Sequence, residues 1–182
     1  LWKCGLGSMI NRDMKIAKIA IRIVNELRKI NPDLEVVLQD TTSSEEDLNA
    51  AGRIALNKFG DRLRVYFSVH TNACEAKDAN GYMFITGGNA TWSDNKLADN
   101  LSEAMANNPY VRQRNNMYNA NYIGELNVVD NFNTIAVLGE FGFFTNDKDL
   151  DNLTEDEYID YIARNVANEI SSLLNKIDKN KK

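Results

Sequence analysis

Histidine, cysteine and long apolar runs are all scarce in this sequence, which holds one histidine and two cysteines. Cys4 and Cys74 are too few for a disulfide scaffold, although a bridge between their two loops is geometrically feasible. No run of about 18 apolar residues occurs, so the sequence predicts no membrane span. No secretory signal peptide is visible at its start.

Positive charge is also in short supply. The formal net charge is −5 and the pI is about 5.0, and the only basic cluster is the tail from Lys176 to Lys182. This charge would repel a polyanion, so we expect no nucleic-acid partner. The 182 residues, 43% hydrophobic and 26% charged, are typical of one soluble globular domain, for which we expect a monomer.

Two apolar stretches each carry one chemically active side chain. Val65–Ala73 is rich in β-branched and aromatic residues and becomes polar directly after His70. Ile135–Phe144 has the same form and carries Glu140 among glycines and aromatics. Such runs predict buried strands whose carboxyl ends reach the rim of a sheet, where α/β proteins place their ligands. An imidazole and a desolvated carboxylate at two strand ends are the groups that a metal-assisted hydrolase needs.

A purely structural interpretation of these two residues is not equally strong for both. A lone histidine at a strand end is more often a hydrogen-bonded structural residue than a ligand. Glu140 is harder to explain in that way, because a carboxylate flanked by Leu138 and Phe141 is costly to bury without a partner. Its position predicts a cation, a metal or a reacting proton beside it.

The context of both residues resembles that of a known enzyme family. Ser68–Ala73, preceded by Arg53 and Asn57 and followed by Gly81–Phe84, resembles a motif of the zinc-dependent N-acetylmuramoyl-L-alanine amidases, which are peptidoglycan hydrolases. Val137–Asn146 is similar to the catalytic-glutamate motif of the same family. Two motifs in the correct order, each at a strand end, are more specific than one short pattern.

The resemblance implies a zinc ion held by two histidines and a glutamate, with a second glutamate as catalytic base. His70 matches the second histidine ligand and Glu140 matches the catalytic glutamate. The first histidine has no counterpart, because the chain contains no other. The expected glutamate ligand, at the start of the first helix, falls on Arg12, and shifting the frame by one residue offers Asp13 instead.

Two explanations of the missing ligands stay open. In the first, the opening strand and its histidine lie upstream of Leu1, so that the domain given by residues 1–182 is incomplete at its amino-terminal end. In the second, the protein keeps the fold and has lost the metal. Cys4 could in principle replace a histidine, since thiolate is a good zinc ligand, but a lone cysteine is more often a free thiol.

Alternating helices and strands predict an α/β fold, which we expect to be a three-layer α/β/α arrangement around a mostly parallel mixed sheet of about six strands. Residues 107–131 are rich in asparagine and poorly periodic, and we expect them to wall the cleft. The remaining predicted elements are helices over 13–30, 41–58, 89–105 and 158–177 and strands over 34–38 and 81–86.

The resemblance also implies a reaction. Glu140 would take a proton from a zinc-bound water and pass it to the departing amine, while the metal polarises the lactyl carbonyl. The bond cut would join the lactyl group of muramic acid to L-alanine. Among the residues of the irregular segment, Arg112 and Arg114 suit the carboxylates of a stem peptide.

Other functions remain open at this stage. The chain could be a metal-free relative that binds the cell wall or serves a structural role. It could also be a hydrolase without zinc that pairs Glu140 with Asp149, although Asp149 has the pattern of a helix cap. A bacterial autolysin and a phage lysin, both of which act on the cell wall, are equally compatible with the sequence.

Overall fold

The computed structural model describes residues 9–39, 45–130 and 133–179, with side chains for residues 15–39, 50–130 and 133–179. The helices are α1 (Met9–Ile30), α2 (Glu45–Phe59), α3 (Trp92–Ala104), α4 (Gly124–Val129), α5 (Asp147–Asn152) and α6 (Asp156–Lys179), and a short 3-10 turn covers Gly60–Arg62. The strands are β1 (Val65–Asn72), β2 (Met83–Gly87), β3 (Met117–Ala120) and β4 (Ile135–Phe143). None of the described helices has both the length and the apolar character that crossing a membrane requires.

The four strands form one mixed sheet in the order β1-β4-β2-β3. Strand β4 pairs with β1 in parallel and with β2 in antiparallel orientation, while β2 and β3 are parallel. The α/β class and the mixed sheet are therefore confirmed. The predicted number of about six strands is wrong for the described part of the chain, where the sheet has four.

Side chains alternate across the sheet and build a core on each face. Along β4, Val137 and Phe141 enter the first core cluster with residues of α1, α3 and α6. Ala136 and Leu138 enter the second core cluster with residues of α2 and α4. Every residue of β4 except Glu140 is buried, as expected for a strand covered on both faces. The three-layer α/β/α arrangement follows from these two cores.

Two segments differ from their sequence-based expectations. Residues 34–38 were predicted to form a strand, but they pair with no strand among the described residues. They line a cavity of about 700 Å³ together with residues of β1. The irregular segment 107–131 contains strand β3 and helix α4, neither of which its polar, poorly periodic sequence predicted.

Candidate active site

His70 and Glu140 lie side by side on adjacent strands. The parallel register of β1 and β4 pairs them directly, just before the register of the two strands shifts. Register partners point to the same face of a sheet, and this face carries the second core cluster. The structure therefore brings together the two residues that the sequence singled out.

A third residue, Glu125 of α4, meets His70 on this face. The Nε2 atom of His70 lies 3.0 Å from Oε1 of Glu125 and 2.8 Å from the hydroxyl of Ser68. Ser68 also donates a hydrogen bond to Oε1 of Glu125 at 2.9 Å, and the hydroxyl of Tyr66 donates to Oε2 at 2.9 Å. The side chain of Glu125 is 3% exposed and that of His70 is 23% exposed. Glu125 is thus a buried carboxylate at the inner side of an accessible imidazole.

The hydrogen bonds decide the charge state of Glu125. Burial alone raises the pKa of its carboxyl group, but the hydrogen bond and charge of His70, together with the hydroxyls of Tyr66 and Ser68, outweigh burial and lower the pKa below its ordinary value. For Tyr66, burial first and the neighbouring carboxylate second raise the pKa of the phenol. Glu125 is therefore ionised and Tyr66 is protonated at neutral pH.

Sequence reasoning missed Glu125. It lies in a six-residue helix within a segment that shows no periodicity, so nothing around it distinguishes it from a surface acid. The polar residues of β1 could have indicated a buried polar partner such as Glu125. Tyr66, Ser68 and His70 alternate along an otherwise apolar strand, so they share one face, and three polar groups on a covered face require a polar partner opposite.

The family resemblance implies zinc, which the described residues can be tested against. The imidazole of His70 and the carboxylate of Glu125 are both donor types that zinc accepts. A catalytic zinc takes three protein ligands, however, and the described residues contain no group of three histidine, cysteine, aspartate or glutamate side chains able to hold a metal. Cys4 and the side chains of Arg12 and Asp13 lie outside the described residues. The described donors therefore do not fit a complete zinc site.

The two predicted substrate-binding arginines lie beside Gly81, at the entrance to β2. Arg112 is exposed, and Arg114 donates a hydrogen bond to the backbone oxygen of Asn80 at 3.0 Å. The guanidinium of Arg114 also lies over the ring of Phe143, 5.2 Å from its centroid. Phe143 follows Glu140 by three residues on β4, so Arg114 is close to the end of the strand that carries the acid.

Asp149 has a structural position. Its Oδ2 atom accepts hydrogen bonds from the backbone N–H groups of Gly81, at 2.7 Å, and Phe143, at 2.9 Å. The cap of α5 is Asn146, whose side chain accepts a hydrogen bond from the N–H of Asp149. Asp149 therefore links the segment before β2 to the end of β4 through hydrogen bonds made from α5. The helix cap is Asn146 and not Asp149. Cys74 is a free cysteine.

Comparison with known families gives one match. Residues 7–172 match a family described as N-acetylmuramoyl-L-alanine amidase, which is most of the chain. No curated protein sequence matches the chain.

Solved structures share the fold at low sequence identity. The catalytic domain of the N-acetylmuramoyl-L-alanine amidase CwlV from Bacillus (Paenibacillus) polymyxa var. colistinus is 23% identical, with a TM-score of 0.71 over 90% of this chain and 85% of that one. An N-acetylmuramoyl-L-alanine amidase from Clostridium difficile 630 is 22% identical, with a TM-score of 0.64 over 86% and 82%. The catalytic domain of the endolysin CD27L, which targets Clostridia difficile, is 15% identical, with a TM-score of 0.61 over 86% and 81%.

Proposed function

Because the chain belongs to the N-acetylmuramoyl-L-alanine amidase family, we propose that the cleft at His70 and Glu140 hydrolyses the amide bond between N-acetylmuramic acid and L-alanine in peptidoglycan. The observation that supports this site most directly is the register of β1 and β4, which places the imidazole and the acid side by side on one face. Glu140 is also the only residue of β4 that is partly rather than fully buried, and the Oε2 atom of its carboxylate is shielded from solvent.

Glu140 acts as the proton carrier in this proposal. Its carboxylate takes a proton from the attacking water, whose oxygen forms a bond to the lactyl carbonyl carbon. The bond from that carbon to the nitrogen of L-alanine then breaks, and the proton moves from Glu140 to the departing amine. The glycines on both sides of this acid, Gly139 and Gly142, keep the backbone around it free of side chains.

His70 is held in place by Glu125 and Ser68. A carboxylate that accepts a hydrogen bond from one ring nitrogen of an imidazole fixes both the orientation of the ring and its tautomer. We propose that His70 is a zinc ligand, as the family resemblance implies. Glu125 contacts His70 at 3.0 Å, and a complete site needs a third donor from outside the described residues.

Arg112 and Arg114 are proposed to bind the stem peptide. Arginine suits carboxylates because its planar guanidinium can form two parallel hydrogen bonds to one carboxylate. The contact of Arg114 with Phe143 places this cation at the end of the strand that carries Glu140. Arg112 is exposed and donates only a long hydrogen bond, 3.4 Å, to the backbone oxygen of Asn80, so we expect its substitution to change binding less than that of Arg114.

The proposal is tested by digesting purified cell wall and measuring new L-alanine amino groups together with new reducing sugar ends. An amidase releases the first without the second. We expect Glu140→Gln to lower the initial rate by about a hundredfold or more, in line with the loss of a general base. The matched control is Glu103→Gln, which removes an exposed carboxylate on α3 and should leave the rate unchanged. Full activity of the Glu140 variant would remove this residue from its role.

Metal analysis tests the role of His70. We expect the purified full-length chain to bind zinc and His70→Ala to lose it, while Glu140→Gln retains it. Zinc retained by the His70 variant at the level of the parent chain would show that this imidazole is not a ligand.

A second function, binding of the cell wall without cleavage, is favoured by one observation. The described residues hold fewer than three metal-ligating side chains together, and Nε2 of His70 already faces Glu125 and Ser68. A chain that contains no zinc, sediments with purified cell wall and releases no amino groups would have this function instead.

A further inference from the structure

A pocket lined by polar side chains is shared by helix α3 and the segment that leads into β3. Helix α3 contributes Asp99 and Ser102, and the other side is formed by residues 113–116 together with Tyr118 of β3. We call it the α3 pocket, and its volume is about 570 Å³. Every residue that lines it carries a polar or charged group, so the pocket suits a ligand that is charged or forms many hydrogen bonds.

The α3 pocket contains one cation and one anion that do not pair with each other. The guanidinium of Arg114 binds the backbone oxygen of Asn80 and lies over the ring of Phe143. The carboxylate of Asp99 accepts a hydrogen bond at Oδ1 from the hydroxyl of Tyr118. In the described part of the chain, no ion pair joins Arg114 to Asp99. Opposite charges held apart in one pocket leave room between them for a ligand that carries both signs.

Both charged side chains keep hydrogen-bonding capacity for such a ligand. A guanidinium has five N–H donors, and Arg114 uses one of them on Asn80. The bond from Tyr118 occupies Oδ1 of Asp99, which leaves Oδ2 for a further donor. A guanidinium binds a carboxylate through two parallel hydrogen bonds, and a carboxylate binds an ammonium group. The two residues are therefore complementary to an amino acid group, in which one carbon carries both an ammonium and a carboxylate.

The position of the pocket relative to Glu140 fits the third residue of a stem peptide. Met83 of β2 is the register partner of Glu140, and Tyr82, its neighbour in the chain, is bridged to Gln113 on the far side of β2. Two interstrand spacings of about 4.8 Å, or about 10 Å in all, therefore separate the backbone of Gln113 from that of the acid. Three extended residues span about 10 Å. A peptide that starts at the scissile bond and crosses β2 thus reaches the α3 pocket with its third residue.

We propose that the α3 pocket selects stem peptides whose third residue ends in an amino acid group, with the carboxylate bound by Arg114 and the ammonium bound by Asp99. A third residue that ends in an ammonium alone, as lysine does, leaves Arg114 without its partner. This inference rests on the proposed function, because the stem peptide must run from Glu140 across β2. It extends that function by naming the chemical group that decides which peptidoglycan is cleaved.

Binding is measured first, with the full chain and three tripeptides that lack the sugar and are labelled with a fluorophore at their amino-terminal end. Their third side chain ends in ammonium and carboxylate, in ammonium and an amidated carboxyl group, or in an acetylated amine and carboxylate. We expect the parent chain to bind the first peptide about tenfold more tightly than either of the others, because each modification removes one set of charge-assisted hydrogen bonds.

Two variants assign the charges. Asp99→Asn should abolish the preference over the acetylated peptide and keep the preference over the amidated one, and Arg114→Gln should do the reverse. The matched control is Glu103→Gln, which changes an exposed carboxylate on the same helix outside the pocket and should keep both preferences. Equal affinity of the parent chain for the three peptides would overturn the proposal. A preference over the acetylated peptide that survives in Asp99→Asn would overturn it as well.

Hydrolysis of the corresponding N-acetylmuramoyl tripeptides separates this inference from the proposed function. We expect kcat/KM of the parent chain to follow the same order as the affinities. Release of all three peptides with equal kcat/KM and equal affinity would contradict the α3 pocket and leave the amidase function standing. Preferential binding of the first peptide with no release from any substrate would contradict the amidase function and support the pocket.

Discussion

At the scale of single residues, the buried carboxylate of Glu125 organises the site. It accepts hydrogen bonds from Tyr66 and Ser68 and contacts Nε2 of His70, so three polar groups depend on one side chain. Removing this buried acceptor takes one hydrogen bond from the hydroxyl of Tyr66 and one from that of Ser68, which costs more than the bonds themselves contributed.

We therefore expect Glu125→Ala to lower the free energy of unfolding by about 2–4 kcal/mol, a range set by the loss of one partner from a buried pair. Glu125→Gln should lose less, because its amide oxygen still accepts hydrogen bonds. Urea denaturation measures both. Glu103→Ala, at an exposed position of α3, is the control, and a Glu125→Ala variant as stable as this control would show that the contacts carry little energy.

Asp130, at the carboxyl end of α4, has a raised pKa of about 6 against an ordinary value of 3.8. Burial is the larger cause, and the neighbouring carboxylate of Asp94 adds to it, while a backbone hydrogen bond from Asn89 opposes both. Since the folded state holds the proton more tightly than the unfolded chain, stability is highest below 3.8 and falls as pH rises through about 6.

Asp130→Asn should remove this dependence. At about pH 7.5 we expect the variant to be more stable than the parent chain by about 1–2 kcal/mol, less than the full pKa difference implies because solvent screens part of the charge. Below the ordinary carboxyl pKa the two should be equally stable. Thermal unfolding across this pH range is the measurement, with exposed Asp78→Asn as control, and an unchanged pH profile for Asp130→Asn would refute the account.

At the scale of elements, the clearest sequence patterns predicted the correct strands and helices. Strands β1 and β4 are rich in β-branched and aromatic residues, and both are confirmed, as are the amphipathic helices α1 and α6. Strand β3 was missed because it has only four residues, three of them exposed, so that its pairing with β2 alone defines it. Residues 34–38 have the composition of a strand, but composition alone does not show whether a segment has a strand to pair with.

Asp149 links three elements, since it lies in α5 and accepts backbone hydrogen bonds at the entrance to β2 and at the end of β4. We expect Asp149→Ala to lower the free energy of unfolding by about 2–4 kcal/mol, because two buried N–H groups lose their acceptor. Exposed Asp151→Ala, in the same helix, should change it by less than about 0.5 kcal/mol. Equal midpoints of the two variants in urea would contradict this role.

At the scale of the whole molecule, family and function were predictable before the site was. Two short motifs, Ser68–Ala73 with His70 and Val137–Asn146 with Glu140, indicated the amidase family, and the family match covers residues 7–172. The contact between Glu125 and His70 was not predictable, because the two residues are distant in sequence and meet only through the packing of α4 on the sheet.

The most direct test of the account is digestion of purified peptidoglycan by the parent chain and by Glu140→Gln, with zinc supplied to both. We expect the parent chain to release L-alanine amino groups without new reducing ends, and the variant to release them at about a hundredth of that rate or less. Equal release by the two chains, or new reducing ends in place of amino groups, would contradict the claim that Glu140 carries out amide hydrolysis.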